Sequence, residues 1–340
     1  MTKTWDIAVV GAGSLVGAAM LELLHGRDFP VGKIYPLDLE PGDGGTAAFG
    51  RRDLPIGDLA SFDFSTVQLA LFAAGAAVAA EYAPKAAVEG CVVIDSSTQF
   101  RLDPEVPLVV PEVNAATLAG HGVRGIVASP NCMVTMLVLA LKPLHEAAGI
   151  ERINLSTYQA VSGSGRAAVE ELGRQTADLL NFREMQRSVY PKQIAFNVLP
   201  QIDALEDNGY TREEMRLVQE TRRILGSEHL GVNATAVRVP VFYGHAAAVH
   251  METRDKLGAA QARALLASAP GVEVLEGEAD DAFPTPVTEA SGEDSVFVGR
   301  IREDLSHPRG LNLWVVTDNI RKGTALNAVQ IAEILVRDYL

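Results

Sequence analysis

Asp6-Ile-Ala-Val-Val-Gly11-Ala-Gly13-Ser-Leu-Val-Gly17 is the stretch of sequence that decides the fold. Its compact run of β-branched and apolar residues predicts a strand, the glycines predict a tight turn, and the apolar periodicity through Leu24 predicts a helix. Such a turn lets the first amides of the helix reach a pyrophosphate. The same residues also fit a tight strand-to-helix connection that binds no ligand.

Strands and helices continue to alternate after this opening unit. Further strands are predicted at Lys33–Leu39, Gln68–Phe72, Cys91–Ile94 and Gly125–Ala128, with a helical pattern at Ala79–Glu89 between two of them. Alternation of this kind is typical of a parallel, doubly wound sheet with helices on both faces. We therefore expect an α/β chain whose residues 1–130 form a Rossmann-like, dinucleotide-binding domain.

The pattern changes after about residue 130. Longer helices are predicted at Val134–Ala148 and Ala167–Leu180, mixed with alternating strands at Ile153–Ala160 and Ala234–Val241. A chain of 340 residues exceeds what one hydrophobic core usually organises. We expect a second, α+β domain over residues 131–323, and an amphipathic helix over residues 324–340 that returns to the first domain.

Composition narrows the classes of partner. Forty-three acidic and 29 basic residues give a net charge of −14, which disfavours nucleic acid and anionic membrane surfaces. The longest uncharged apolar run, Leu69–Ala80, is too short for a membrane-spanning helix. Two cysteines, without clustered histidines, support neither a disulfide framework nor a metal site. We expect a cytoplasmic protein without a metal.

An acidic residue at the end of the second strand indicates the cofactor. Asp38 stands where a Rossmann unit places the carboxylate that binds the ribose 2′-hydroxyl, which favours NAD over NADP. Glu40 and Asp43 add negative charge nearby. The alternative is that these acidic residues only form a solvated loop.

Cys132 is the candidate nucleophile. It follows Asn131 and precedes a helix-forming run, and a thiol at a helix N-terminus is stabilised as thiolate by the helix dipole. The Asn131 amide could donate to an oxyanion that forms on an attacked carbonyl. The alternative for a free intracellular cysteine is a small buried apolar side chain, which is our prediction for Cys91.

Arg238 and His245 lie in one apolar segment interrupted by Pro240 and Gly244. The histidine is predicted at a strand or loop end, where it could exchange protons with a thiol or a water. A charged arginine in an apolar run needs an anion to compensate for its burial. Surface exposure or a structural ion pair fits these residues equally well.

Several motifs together resemble one known family over nearly the whole chain. They are Pro107–Asn114, Ser129–Cys132, Ser156–Gly163, Ile194–Ile202, Arg238–His245, Asp318–Asn319 and Lys322–Gly323. These motifs and their order along the chain resemble those of the aspartate-semialdehyde dehydrogenases. The resemblance implies NAD(P)-dependent reductive dephosphorylation of a small acyl phosphate such as aspartyl phosphate, or the reverse reaction, which oxidises the semialdehyde. It also implies a homodimer formed by the second domain.

The resemblance also implies a role for individual residues. Cys132 would form the thioester, His245 would manage protons, and Gln159 would orient the substrate. Glu213 and Arg238 would hold the substrate's amino and carboxylate groups, and Arg101 with Arg216 would bind phosphate. The cofactor-binding residues expected from the glycine turn and the resemblance together are Gly11, Gly13, Ser14, Leu15, Val16, Asp38, Ser162, Gly163, Gly165, Asn319 and Gln330.

Some positions depart from the family pattern. Gly13-Ser14 stands where the family has Thr-Gly, Pro41 falls near an expected arginine of the 2′-phosphate clasp, and Arg216 replaces a lysine. These departures predict a divergent paralogue. They leave two alternatives open: an enzyme for another small aldehyde, such as a glutamate-derived semialdehyde, and a non-catalytic protein that binds a nucleotide or a protein partner.

Overall fold

The computed structural model describes residues 3–42, 44–277, 279 and 281–340, so Asp43 lies outside the described residues. The strands are β1 Trp5–Val10, β2 Val31–Asp38, β3 Thr46–Phe49, β4 Arg52–Pro55, β5 Gly57–Asp58, β6 Leu69–Phe72, β7 Val92–Asp95, β8 Ile126–Ala128, β9 Ile150–Gln159, β10 Gly231–Arg238, β11 His245–Thr253, β12 Val272–Val274, β13 Val296–Glu303 and β14 Gly310–Thr317. The α-helices are α1 Leu15–Gly26, α2 Ala76–Val88, α3 Pro111–Asn114, α4 Cys132–Ala148, α5 Arg166–Leu180, α6 Arg212–Leu225, α7 Ala259–Ala267 and α8 Leu326–Asp338.

The chain divides into two compact units. Residues 1–131 and 324–340 form the first unit, and residues 132–323 form the second. The helix α8 therefore belongs with the N-terminal segment, where its apolar face shares one core with the buried face of α1. Among the described residues, no helix is long and apolar enough to cross a membrane.

The first unit contains a parallel, six-stranded sheet in the order β5-β2-β1-β6-β7-β8. The chain leaves β1 toward β2 on one side and later returns to β6 on the other side. The carboxyl ends of β1 and β6 therefore mark the topological switch point, where parallel sheets bind their ligands. The observed strands confirm the predicted Rossmann-like sheet, with β2 starting at Val31 rather than Lys33.

The second unit contains a mixed, six-stranded sheet in the order β10-β9-β11-β14-β13-β12. Strand β9 pairs in parallel with β10 and antiparallel with β11. In this register Gln159 pairs with Arg238, and Ala246, next to His245, pairs with Tyr158. The sheet therefore brings two strand ends and one strand start together, and the predicted α/β class with a second mixed domain is confirmed.

Candidate active site

Three polar side chains gather where β9 and β10 end and β11 begins. Gln159 is 2% exposed, Arg238 is 5% exposed and His245 is fully buried. Strand pairing explains their proximity, because each residue terminates a strand at the same end of the sheet. Buried polar groups of this kind are stable only when hydrogen-bonded or when a ligand completes their contacts.

Ala160 holds both the histidine and the arginine. Its backbone N–H donates to His245 Nδ1 at 3.0 Å, and its carbonyl accepts from Arg238 Nη1 at 2.7 Å. Burial, and then the positive charge of Arg238, lower the pKa of His245 well below its ordinary value. His245 Nε2 and Arg238 Nε are buried and have no hydrogen-bond partner among the residues that the structure describes. The cluster thus keeps two polar atoms available for a ligand.

Glu213 extends this cluster from helix α6. Gln159 Nε2 donates to Glu213 Oε1 at 3.0 Å, and Arg216 Nη1 lies 3.3 Å from Glu213 Oε2. Arg216 also pairs with Asp203 at 2.8 Å. Helix α6 is fixed at its start by a reciprocal capping box between Thr211 and Glu214. This cap fixes the helix start at Arg212, one residue before Glu213.

The segment Val161–Ser164 closes over the histidine. A Cβ atom built on Gly163 would lie 2.9 Å from Arg238 Nη1 and 3.2 Å from His245 Nε2, so the two side chains leave room only for glycine. Ser162 exchanges hydrogen bonds with the Asn319 side chain at 3.1–3.2 Å, and Asn319 Oδ1 accepts from Gly244 N at 3.0 Å. Three of the predicted cofactor residues therefore lie in the histidine's surroundings.

Cys132 is the first residue of α4, as predicted, and its side chain is partly exposed. A Cβ atom on Gly323 would lie 2.9 Å from the Cys132 Cβ, and Gly323 N donates to Asp318 O at 3.0 Å. The cysteine thus lies against the turn 318–323, whose Asn319 bonds to the residue before His245. The fold attaches the segments that carry the cysteine and the histidine to the same turn.

Cys91, unlike the partly exposed Cys132, lies in a buried environment. It is buried, and burial raises the pKa of its thiol to about 12, with a smaller effect from Glu89. A thiol with that pKa provides almost no thiolate at neutral pH. The prediction of a buried Cys91 is confirmed.

The glycine turn is shaped by close backbone contacts. Gly11 has φ of +86°, and a Cβ atom there would lie 2.6 Å from the Ala73 carbonyl carbon. Ser14 caps α1 by accepting from Gly17 N at 3.0 Å. Leu15 and Val16 form the first turn of α1, whose amides have no intrahelical acceptor. This arrangement fits the diphosphate of a dinucleotide.

Asp38 contacts this turn directly. Its Oδ2 accepts from Gly13 N at 2.9 Å. Burial raises the pKa of the carboxyl, and the bond from Gly13 acts against this shift. The residue therefore holds the glycine turn with one oxygen, a contact that the sequence does not reveal.

The two predicted phosphate-binding residues, Arg101 and Arg216, and the predicted cofactor-binding residue Gln330 bond to other residues of the chain. Arg101 belongs to the first unit and is buried, and its guanidinium donates to Ser96 O at 2.7 Å and Ser129 O at 3.0 Å. Arg216 belongs to the second unit. Gln330, in the first unit, donates to Glu112 at 2.9 Å. Asn131 is buried directly before Cys132. Their functional roles stay predictions.

The sequence did not single out Tyr190 and Glu171, two residues that shape the site. The Tyr190 hydroxyl donates to Ser164 Oγ at 3.1 Å, between Gly163 and Gly165. The segment that carries Tyr190 is held by the buried Glu171, which accepts from Ser188 N, Val189 N and Tyr190 N. The available signal was Glu171 on the buried face of α5, where an apolar residue is expected.

Comparison with known proteins identifies the family. Residues 6–121 match the model of the semialdehyde dehydrogenase NAD binding domain, and residues 141–322 match that of the semialdehyde dehydrogenase dimerisation domain. The chain belongs to the semialdehyde dehydrogenase family. The members of this family are dehydrogenases with an NAD-binding domain, and are therefore oxidoreductases. The family that the sequence motifs indicated is confirmed.

Relatives of this family cover the full length of the chain. The aspartate-semialdehyde dehydrogenase of Legionella pneumophila is 54% identical over 340 residues, with 100% of this chain and 98% of the relative covered. That of Shewanella violacea is 51% identical, with both chains fully covered. The solved structure of aspartate semialdehyde dehydrogenase II from Vibrio cholerae complexed with ASA has a TM-score of 0.97 at 49% identity and full coverage of both chains.

Proposed function

We propose that the chain is an aspartate-semialdehyde dehydrogenase that interconverts aspartyl phosphate and aspartate semialdehyde. The relatives support this assignment. The observation that carries it is the buried cluster of Gln159, Arg238 and His245, in which Arg238 Nε and His245 Nε2 have no hydrogen-bond partner within the described part of the chain. A small ligand with an anionic group and a carbonyl oxygen supplies acceptors for both of these atoms.

Cys132 is the proposed nucleophile. In the oxidative direction its sulfur adds to the aldehyde carbon, and the resulting acyl group stays on sulfur as a thioester until phosphate displaces it. The position of Cys132 at the start of α4 favours the thiolate. The Asn131 amide is the proposed donor to the oxygen that gains negative charge. A bound nicotinamide supplies the hydride acceptor.

The remaining polar residues are proposed to hold the substrate. The Arg238 guanidinium binds the substrate carboxylate, Glu213 binds its ammonium group, and Gln159 orients the acyl group. Arg101 and Arg216 are the proposed phosphate ligands. Since Glu213 already accepts from Gln159 and lies near Arg216, an ammonium group would join a preformed network.

The activity test uses aspartate semialdehyde, phosphate and NAD or NADP, with reduced cofactor measured by absorbance. We expect turnover that Cys132→Ser removes, and a panel including a glutamate-derived semialdehyde should give lower kcat/KM. A higher kcat/KM for another aldehyde would redirect the substrate assignment. Absence of reduced cofactor with every aldehyde would favour the non-catalytic alternative.

For the cofactor we propose NAD rather than NADP. Asp38 ends β2 and is held by Gly13 N, so its carboxylate would accept from a ribose 2′-hydroxyl and repel a 2′-phosphate. We expect wild-type kcat/KM to favour NAD, and Asp38→Ala to shift the ratio toward NADP. A wild-type preference for NADP that Asp38→Ala leaves unchanged would contradict the proposal.

We propose a homodimer formed by the second unit, since its family model is a dimerisation domain. One face of its sheet exposes Ala248 near the Tyr158–Trp314 ring contact, beside a cavity of about 480 Å³. A second copy of the chain is the proposed occupant. Light scattering should show a dimer that Ala248→Arg dissociates and Ala267→Arg, on the exposed side of α7, does not. A monomeric wild-type protein would refute the proposed dimer.

The proposed location is the cytoplasm, where free thiols persist.

A further inference from the structure

The first half of the turn 161–165 is bonded firmly to its surroundings. The backbone amides of Val161 and Ser162 donate to the carbonyls of residues 241–242 at 2.9 and 3.1 Å. The Ser162 side chain exchanges hydrogen bonds with Asn319 at 3.1–3.2 Å. These contacts involve buried residues and hold the start of the turn independently of its second half.

The second half of the turn, Gly163-Ser164-Gly165, depends on one distant contact. Among the residues that the structure describes, its only hydrogen bond to a residue outside 160–169 joins the Tyr190 hydroxyl to Ser164 Oγ at 3.1 Å. Glycine has more backbone freedom than any other residue, and Gly165 has φ of +87°. Without the tyrosine, this half of the turn would therefore have many backbone conformations available.

Tyr190 is itself held at its ring and at its backbone. The ring packs against a buried apolar cluster that includes Leu172 of α5, and the backbone N–H donates to the buried Glu171 carboxylate at 3.4 Å. Burial raises the pKa of the Tyr190 hydroxyl, and the positive charge of Arg238 acts against this shift. The hydroxyl therefore keeps its proton at neutral pH, as a donor to Ser164 must.

The position of this half of the turn matters on both of its sides. On the inner side, a Cβ atom built on Gly163 would lie 2.9 Å from Arg238 Nη1 and 3.2 Å from His245 Nε2. On the outer side, Gly163 and Ser164 are exposed. A displacement of residues 163–165 therefore changes both the space beside the buried cluster and the surface that the turn presents to a ligand.

We propose that Tyr190 is a positioning residue for the nicotinamide cofactor, and that through Ser164 it holds the second half of the turn 161–165 in the conformation that binds the cofactor. This inference rests on the proposed function, since three residues of this turn are predicted to bind the cofactor. A turn that is already ordered loses less conformational entropy when the cofactor binds, so the tyrosine raises affinity without contacting the cofactor itself.

The test removes either hydroxyl and measures the dissociation constant of NADH or NADPH, whichever the wild type binds more tightly, from the fluorescence of the reduced nucleotide. Tyr190→Phe and Ser164→Ala each delete one partner of the bond. Tyr210→Phe is the matched control, because the Tyr210 hydroxyl donates to Asn233 at 3.0 Å in the same unit. We expect both test variants to bind the nucleotide about 2- to 10-fold more weakly, the range for one lost hydrogen bond, and the control to bind it as the wild type does.

The double variant of Tyr190→Phe with Ser164→Ala should bind no more weakly than either single variant, because only one bond is lost. Wild-type affinity in Tyr190→Phe, or losses that add in the double variant, would overturn the proposal. Weaker binding in Ser164→Ala alone would indicate a direct contact of the serine with the cofactor and would also overturn it. The assay contains no semialdehyde or phosphate, so its result is separate from a failure of turnover. A wild-type protein that binds neither nucleotide would refute this proposal and the proposed function together.

Discussion

Glu171→Gln is the change that most clearly tests how the site's outer segment is held. The Glu171 carboxylate is buried and accepts from Ser188 N at 2.6 Å, Ser188 Oγ at 2.7 Å, Val189 N at 2.6 Å and Gln175 Nε2 at 3.1 Å. A glutamine amide has one acceptor oxygen, so its NH₂ group would face donors. Ser188 and Val189 both donate to Oε2, so the glutamine oxygen can replace this atom, and the NH₂ group then faces Gln175 Nε2 and Tyr190 N, which donate to Oε1. The Tyr190 amide left without this acceptor costs about 1–3 kcal/mol.

The expected result is a lower midpoint of thermal unfolding and faster cleavage of the segment 182–195 by trypsin, at Arg183, Arg187 or Lys192. A loss of about 1–3 kcal/mol corresponds to a decrease on the order of 5 °C in a unit of this size. Glu170→Gln is the matched control, because Glu170 is exposed on the same helix and should change stability by less than about 0.5 kcal/mol. Equal melting points and equal trypsin resistance in the two variants would refute the reasoning.

The stability that Glu171 contributes should decrease at low pH. Burial raises the pKa of the Glu171 carboxyl, but the bonds from Ser188, Val189 and Tyr190 together outweigh burial and lower the pKa. Since the folded pKa lies below the unfolded one, the stabilisation is fully present above the unfolded value of about 4.3 and decreases as pH falls toward the folded value. The difference in melting point between wild type and Glu171→Gln should therefore shrink below about pH 4.3.

Substitutions at Gly163 and Gly173 and alkylation of the cysteines test three further contacts. Gly163→Ala should lower kcat/KM at least about 10-fold in steady-state assays, because its Cβ would press on Arg238 and His245; unchanged kinetics would contradict this crowding. Iodoacetamide should modify Cys132 alone at pH 8 in peptide mass spectra, since the pKa of Cys91 is about 12; a modified Cys91 in folded protein would be inconsistent. Gly173→Ala, inside α5 with only a 4.0 Å neighbour, should stabilise the protein by about 0.5–1 kcal/mol in denaturant unfolding, and destabilisation would be the contrary result.

The sequence predicted the first sheet well because its strands are short, apolar and interrupted by glycine. The Gly11 turn and the helix after it were recognisable for the same reason. The small strands β3, β4 and β5 carry no comparable apolar run. The pairing of β5 in addition depends on a strand that is distant in sequence, as at Leu37 and Gly57.

Site geometry was harder to predict than site chemistry. The residue types at Cys132, Arg238 and His245 indicated covalent and acid–base chemistry, but no pattern reveals that Ala160 N–H bonds to His245 across 85 positions. The interaction of Asp38 with Gly13 is equally non-local, since 25 positions separate them. By contrast, the capping box that the structure shows at the start of α6 is local, since Thr211 and Glu214 are three positions apart.

We expect Cys132 to carry the acyl group during turnover. Intact-protein and peptide mass spectrometry after rapid quenching, with aspartate semialdehyde and oxidised cofactor but no phosphate, detects such an adduct. We expect one acyl group per chain, located on Cys132, released by hydroxylamine and absent in Cys132→Ser. An unmodified chain that still reduces the cofactor, or an adduct on any other residue, would contradict it.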